Sequence, residues 1–195
     1  MREKMKTSET VYSGEKTKNM ILCAMFVALI AVGAFIRIPI PVVPFTLQYL
    51  FTMLAGLLLG GKRGSLAVCV YILLGLLGLP VFAQGGGIGY VFRPSFGYII
   101  GFAVGAFVTG VIANKKNRPS LGRLFAANFA GLGIVYFFGM VYYYLISNFY
   151  LNSPIGIWPL FLYCFLLAVP GDIFLCIAGA FLGKRLIPLR KGGVV

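Results

Sequence analysis

Six apolar stretches, each closed off by prolines, glycines or basic residues, run through almost the whole chain, and a chain built this way cannot fold as a soluble globule. Their lengths suit membrane-spanning helices, and the pattern predicts spans at roughly 20–36, 46–60, 65–80, 95–113, 124–147 and 157–183. The second and third are short, so they are expected to pack against longer neighbours. Pro39, Pro41 and Pro44, then 60–64, Pro80 with 85–89, 117–119 and 152–154 mark the breaks. Hydrophobic residues make up 60% of the 195 positions and charged ones 11%, which leaves no polar material for an extramembrane domain. The expected organisation is an all-α membrane protein: a basic tail over 1–19, one six-helix domain over 20–187, and a short tail over 188–195. The run from Met20 to Ile36 leads into Arg37 and prolines without a small-residue cleavage site, so it reads as the first helix and not as a signal peptide. No internal repeat is visible, which weighs against inverted-repeat transporter folds.

Basic residues give the orientation. Five precede the first span (Arg2, Lys4, Lys6, Lys16, Lys18), two follow the second (Lys62, Arg63), four follow the fourth (Lys115, Lys116, Arg118, Arg123) and four end the chain (Lys184, Arg185, Arg190, Lys191). With six spans, all of these fall on one side, which the positive-inside rule makes cytoplasmic, together with both termini. Only Arg37 and Arg93 remain for the outer side. The net charge of +13 is therefore a matter of topology: the basic residues form no continuous face and accompany no base-stacking motif, so nucleic acid is not an expected partner.

Several chemistries are excluded. The chain has no histidine, which removes a histidine base and an HExxH zinc site. Cys23, Cys69, Cys164 and Cys176 lie in apolar spans without metal-ligand spacing and read as small buried residues. The glycine run Gly85-Gly86-Gly87 with Gly89 lets backbone approach a ligand, but it opens no βαβ helix and lacks the Lys-Ser/Thr ending of a phosphate loop. No enzyme, cofactor or metal site is expected.

What remains is a small polar inventory. Asp172 is the only acid inside a span, where an aspartate costs about 2.5–3.5 kcal/mol on insertion scales, so it needs a polar cavity, a partner or a ligand. It reads either as a structural hydrogen bond to a neighbouring helix, or as part of a site at the kink offered by Pro170-Gly171. Arg93 can bind a substrate carboxylate through its planar fork, or reach the outer headgroups; Arg37 is read as such an interfacial anchor. Gln48 and Gln84 are the amides near the outer mouth, each fit to bind a ligand or to hold a loop. Tyr90, Phe92, Phe96 and Tyr98 surround Arg93 as pocket walls or as belt residues. Ala24 and Ala28, extended by Ala31, form a small-xxx-small pair that admits another helix, a weak signal by itself.

Taken in order, these residues resemble the BioY family, the biotin-capturing S components of energy-coupling factor (ECF) transporters. The resemblance runs through Ile38-Pro39-Ile40-Pro41 and Val43-Pro44-Phe45-Thr46-Leu47-Gln48, then Leu54-Ala55-Gly56-Leu57-Leu58-Leu59-Gly60. It continues in Leu76-Leu77-Gly78-Leu79-Pro80-Val81-Phe82-Ala83, in Phe96-Gly97-Tyr98-Ile99-Ile100-Gly101-Phe102 and in Pro170-Gly171-Asp172. The segment from about 123 to 158 adds little. The resemblance implies a six-helix S component that binds biotin from outside and passes it to a transmembrane T component driven by two cytoplasmic ATPases, the only subunits that use ATP. It implies that Asp172 meets the ureido ring and that Ala24, Ala28 and Ala31 dock the T component. Biotin suits the inventory: a carboxylate can accept from ureido N–H groups, Gln48 or Gln84 can donate to the ureido carbonyl, aromatics can cover the thiophane ring, and Arg93 can meet the valerate carboxylate. Thr46, Tyr90, Tyr98 and Gly87 complete the expected binding set.

Two departures stand out. Family members often carry a lysine three residues after this aspartate; here that position is Leu175. Where many have a glycine before the Pro-Thr or Pro-Ser pair, this chain has Arg93-Pro94-Ser95, and Arg93 is expected to take over part of the missing positive charge. With no Walker motif and one embedded acid, the chain has no energy source of its own. The expected mechanism is closure of loops 37–48 and 82–95 over biotin, followed by tilting of the whole helical body. The alternatives are an S component for another small vitamin, or a self-sufficient carrier using Asp172 as a proton site.

Overall fold

The computed structural model describes residues 2–38, 45–116 and 118–191. Pro39, Pro41 and Pro44, the motif positions between them, Asn117 and 192–195 lie outside the described residues. Helix α1 (Arg2–Phe35) leads into two short strands, β1 (Arg37–Ile38) and β2 (Phe45–Thr46), paired antiparallel; α2 (Gln48–Leu59), α3 (Gly61–Leu76), α4 (Phe96–Ala113) and α5 (Leu121–Phe149) follow. A 3₁₀ turn over Ile88–Phe92 lies between α3 and α4, and the chain ends in α6 (Ile157–Phe161), a π turn (Leu162–Leu166) and α7 (Val169–Lys191). The helices fall on the six predicted stretches with ends shifted by a few residues. α1 also runs back through the basic segment to Arg2, and α7 continues past Pro188.

Among the described residues, four stretches are long and apolar enough to cross a membrane: Gly14–Phe35, Phe96–Ala113, Leu121–Phe149 and Ile157–Arg190. α2 has 12 residues and α3 has 16, and both are held inside the bundle by small-residue contacts. Gly60, with φ of 84°, ends α2 and starts α3, a backbone state that only glycine adopts without strain. Gly56 lies against the Ala106 backbone and Gly110 against Gly61, so α2, α3 and α4 meet with no side chain between them.

The α4–α5 interface is the most extensive in the molecule. Gly97, Gly101 and Gly105 recur every four residues on α4 and meet α5 at Tyr142, Val135 and Gly131. From α5, Gly139 admits the ring of Tyr98 and Gly131 admits Thr109. A bulky residue at these positions would push the helices apart.

The last predicted span is interrupted, which its even hydropathy did not reveal. Pro170 has no N–H for the Leu166 carbonyl, and the ladder resumes with Asp172 N–H on the Ala168 carbonyl at 3.2 Å. The π turn and the loop before α7 thus fall level with Asp172.

The basic turns gather at one end of the bundle. Lys184 Nζ donates to the Pro119 carbonyl at 3.1 Å, Asn114 Nδ2 donates to the Leu57 carbonyl at 3.1 Å, and Cys23 Sγ lies 3.8 Å from the Arg63 carbonyl. The strand pair, the 82–95 loop and the α5–α6 connection occupy the opposite end.

Candidate functional site

A cavity of about 70 Å³ opens beneath the strand pair and the 82–95 loop. Gln48 and Tyr49 of α2, Tyr98, Ile99 and Phe102 of α4, and Val135 and Tyr136 of α5 form its walls. Cys164 of the π turn, Ala168 and Asp172 close the side of the broken helix, and Phe45, Thr46, Ala83, Tyr90 and Ser95 cover the outer end. Most of this lining is apolar or aromatic, with a few polar groups set into it, the usual make-up of a small-molecule site.

Asp172 is the acid of the site. Gly171 lies against the ring of Phe45, so that side of the helix comes close to the hairpin. The Tyr136 hydroxyl donates to Asp172 Oδ2 at 2.5 Å, and no basic side chain pairs with this carboxylate among the described residues. The polar partner of Asp172 is therefore a tyrosine of α5. It comes from the segment that contributed little to the sequence resemblance, and it is not Arg93. Leu175, one turn further along α7, is buried in the apolar core and does not line the cavity.

Gln48 carries the second polar feature. It is 3% exposed, and its Nε2 makes no hydrogen bond of ordinary geometry among the described residues, its polar neighbour being the Tyr71 hydroxyl. A buried donor left unmatched costs about 1–3 kcal/mol, which a ligand acceptor would recover. Tyr49 is committed elsewhere: its hydroxyl donates to the Asn128 carbonyl at 2.9 Å. Tyr98 donates to the Cys164 carbonyl at 3.1 Å and presents its ring edge-on to Tyr136, centroids 6.0 Å apart. That bond ties α4 to the π turn and fixes an aromatic wall.

Arg93 and Gln84 meet each other rather than the cavity. Arg93 Nη1 donates to Gln84 Oε1 at 2.8 Å, and the guanidinium lies 5.5 Å from the centre of the Tyr90 ring. Both side chains are exposed at the mouth, and only Tyr90 of this group lines the cavity. Gly87 sits in the roof: its φ of 97° starts the 3₁₀ turn, and its N–H donates to the Gly75 carbonyl at 2.7 Å. The close backbone approach in this glycine run belongs to Gly86, against the Leu79 carbonyl.

Arg37 joins the two loops, its guanidinium donating to the carbonyl of Ala83, itself a cavity residue. The Tyr142 hydroxyl donates to the Val91 carbonyl, and Phe92 stacks on Tyr150 with centroids 4.8 Å apart, so α5 holds the roof from the other side.

Of the predicted site, Asp172, Gln48, Thr46, Tyr90 and Tyr98 come together around one cavity, Arg93 and Gln84 pair at its rim, and Gly87 shapes its roof. Ala24 and Ala28 are exposed on α1 and Ala31 is half-buried, well away from that cavity. The sequence reading missed Tyr136, Tyr49 and the π-turn residue Cys164. For the first, the sequence said only that an acid in lipid needs a polar partner, and nothing marks this tyrosine among the residues of α5.

The helical membrane bundle, with a small polar-and-aromatic cavity at the end away from its basic turns, matches an S-component fold. A crystal structure described as the S component for biotin from an ECF-type ABC transporter superposes with a TM-score of 0.73 at 31% identity, covering 89% of this chain and 92% of that one. The family model for BioY matches residues 1–192, and the chain belongs to the BioY family. Among curated relatives, a probable biotin transporter BioY of Lysinibacillus sphaericus is 47% identical over 172 residues, 88% of each chain. The biotin transporter BioY of Thermotoga maritima is 46% identical over 137 residues, 70% of this chain and 78% of the relative.

Proposed function

We propose that this chain captures biotin at the outer membrane surface and serves as the substrate-binding subunit of an ECF-type uptake system. The observation that carries the reading is the cavity with an acid, Asp172, at one point and at another the Gln48 amide, whose Nε2 makes no hydrogen bond of ordinary geometry among the described residues. A cyclic urea needs both: its N–H groups donate to the carboxylate and its carbonyl accepts from the amide. Tyr136 holds Asp172 in place, Tyr90, Tyr98 and Phe102 cover the bicyclic body, and Thr46 contacts the ligand from the hairpin. Arg93, steadied by Gln84, meets the valerate carboxylate at the mouth. The names of the relatives and of the matching crystal structure support the same ligand.

The proposal extends to six spans within 20–187, with tails 1–19 and 188–195 and both termini cytoplasmic in the cell membrane, as the distribution of basic residues supports. Loops 37–48 and 82–95 close over biotin, the bundle tilts, and a T component with two ATPases supplies the energy. Ala24, Ala28 and Ala31 offer α1 a close-packing face for that T component. Arg93→Ala tests the carboxylate contact: biotin binding should weaken far more than binding of a biotin amide. Equal losses for the two ligands would refute the role of Arg93.

A further inference from the structure

A second hollow lies outside the bundle, at the basic end. It is a groove of about 490 Å³ between α1 and α3, with Met20, Val27, Leu66 and Val70 among its apolar walls and Lys16 and Arg63 among its polar residues. Met20, Leu66 and Val70 are exposed along it, so the groove opens on the outside of the bundle, where a membrane protein meets lipid. Arg190, near the end of α7, comes within electrostatic reach of Arg63, Cys23 and Glu15, all three of which line the groove. Arg63 lines the groove itself, and Arg190 lies near enough for its charge to be felt there. Glu15 is the acid within reach, and among the described residues neither arginine forms an ion pair with it. Basic side chains at the head of an apolar channel are complementary to an anionic amphiphile. Lys16 adds to the charge from the rim, and the excess of basic over acidic side chains among the described residues there favours a net-anionic headgroup over a zwitterionic one.

We propose that this groove holds an anionic phospholipid, its phosphate on Arg63 and Arg190 and an acyl chain along α1 and α3. The site is separate from the cavity and does not depend on what the cavity binds. Ala24 is itself part of its lining, so a T component docking on α1 as proposed above would displace the lipid. The test uses the purified full chain in mixed micelles, with native mass spectrometry reading retained phosphatidylglycerol and phosphatidylcholine, and with glycerol phosphate as the free-anion control. Wild-type protein should retain phosphatidylglycerol preferentially and glycerol phosphate not at all, because the acyl channel contributes. Each arginine lost in Arg63→Gln and Arg190→Gln should weaken retention by roughly fivefold, the worth of one basic group at a lipid surface. Lys115→Gln with Lys116→Gln removes the same charge elsewhere and should leave retention intact. Val70→Trp keeps the arginines but fills the channel, and should also lose the lipid. Unchanged biotin binding in each variant reports an intact fold. Equal retention of both phospholipids, equal loss in the Lys115/Lys116 control, or undiminished retention in Val70→Trp would overturn the proposal.

Discussion

Burying a carboxylate among aromatic rings is expensive, and at Asp172 the chain offsets this with a single neutral donor, the Tyr136 hydroxyl. That leaves the second carboxylate oxygen for a ligand. Tyr136→Phe should therefore weaken biotin binding by roughly fivefold, about one hydrogen bond, and leave the protein folded; calorimetry of both proteins checks it, and unchanged affinity would remove Tyr136 from the site. Gln48 separates binding from stability more sharply. Because its Nε2 makes no hydrogen bond of ordinary geometry among the described residues, Gln48→Leu should leave the thermal midpoint measured without biotin unchanged or raised, while biotin affinity falls by roughly fivefold. A drop in midpoint without loss of affinity would mean that the amide serves the fold. At this scale the sequence was informative about isolated polar residues in apolar stretches, which is why Asp172 and Gln48 stood out. It was silent on Tyr136, since a tyrosine in a long apolar helix looks the same whether it faces lipid or an acid.

Helices are placed here by what is missing from their surfaces. The Gly97, Gly101 and Gly105 row on α4 lets α5 approach closely enough for Tyr136 and Tyr98 to share one cavity. Gly101→Val puts side-chain atoms into the Val135 backbone and should cost about 1–3 kcal/mol of stability along with biotin binding. Gly133→Ala, on the open side of α5, should be neutral or mildly stabilising. Thermal unfolding of the two variants in detergent distinguishes them, and equal effects would contradict the packing account. The sequence showed where helices lie, since apolar length and basic punctuation are local properties. It did not single out the α4 row as the tight interface, because small residues recur throughout the chain and only tertiary contact shows which of them are used. The break at 162–168 was foreshadowed by Pro170 but not its π form, nor that the Tyr98 hydroxyl would meet the Cys164 carbonyl within it.

Over the whole molecule, charge is sorted to one end and the cavity to the other, with the loops above it tied by Arg37 to the Ala83 carbonyl and by Phe92 to Tyr150. If those ties form the lid, Arg37→Ala should speed biotin release by roughly fivefold, the equivalent of one hydrogen bond, with little change in the association rate. Stopped-flow measurement of both rates decides it, and an unchanged release rate would leave Arg37 as a headgroup anchor. A chain with one acid embedded in its apolar stretches and no Walker motif should bind but not pump. Proteoliposomes holding this chain alone should not accumulate biotin under a pH gradient, whereas adding a T component, its ATPases and ATP should start uptake; accumulation by the chain alone would favour a self-sufficient carrier.

The central claim is that a cyclic urea completes the polar pair inside the cavity. Isothermal titration of the purified protein with biotin, alongside the Asp172→Ala variant, tests it most directly. The expected result is saturable one-to-one binding that persists for dethiobiotin, which keeps the urea ring, and falls by roughly ten- to a hundredfold in the variant, as for the loss of a charge-assisted hydrogen bond. No binding of biotin by the wild type, or full binding by Asp172→Ala, would contradict it.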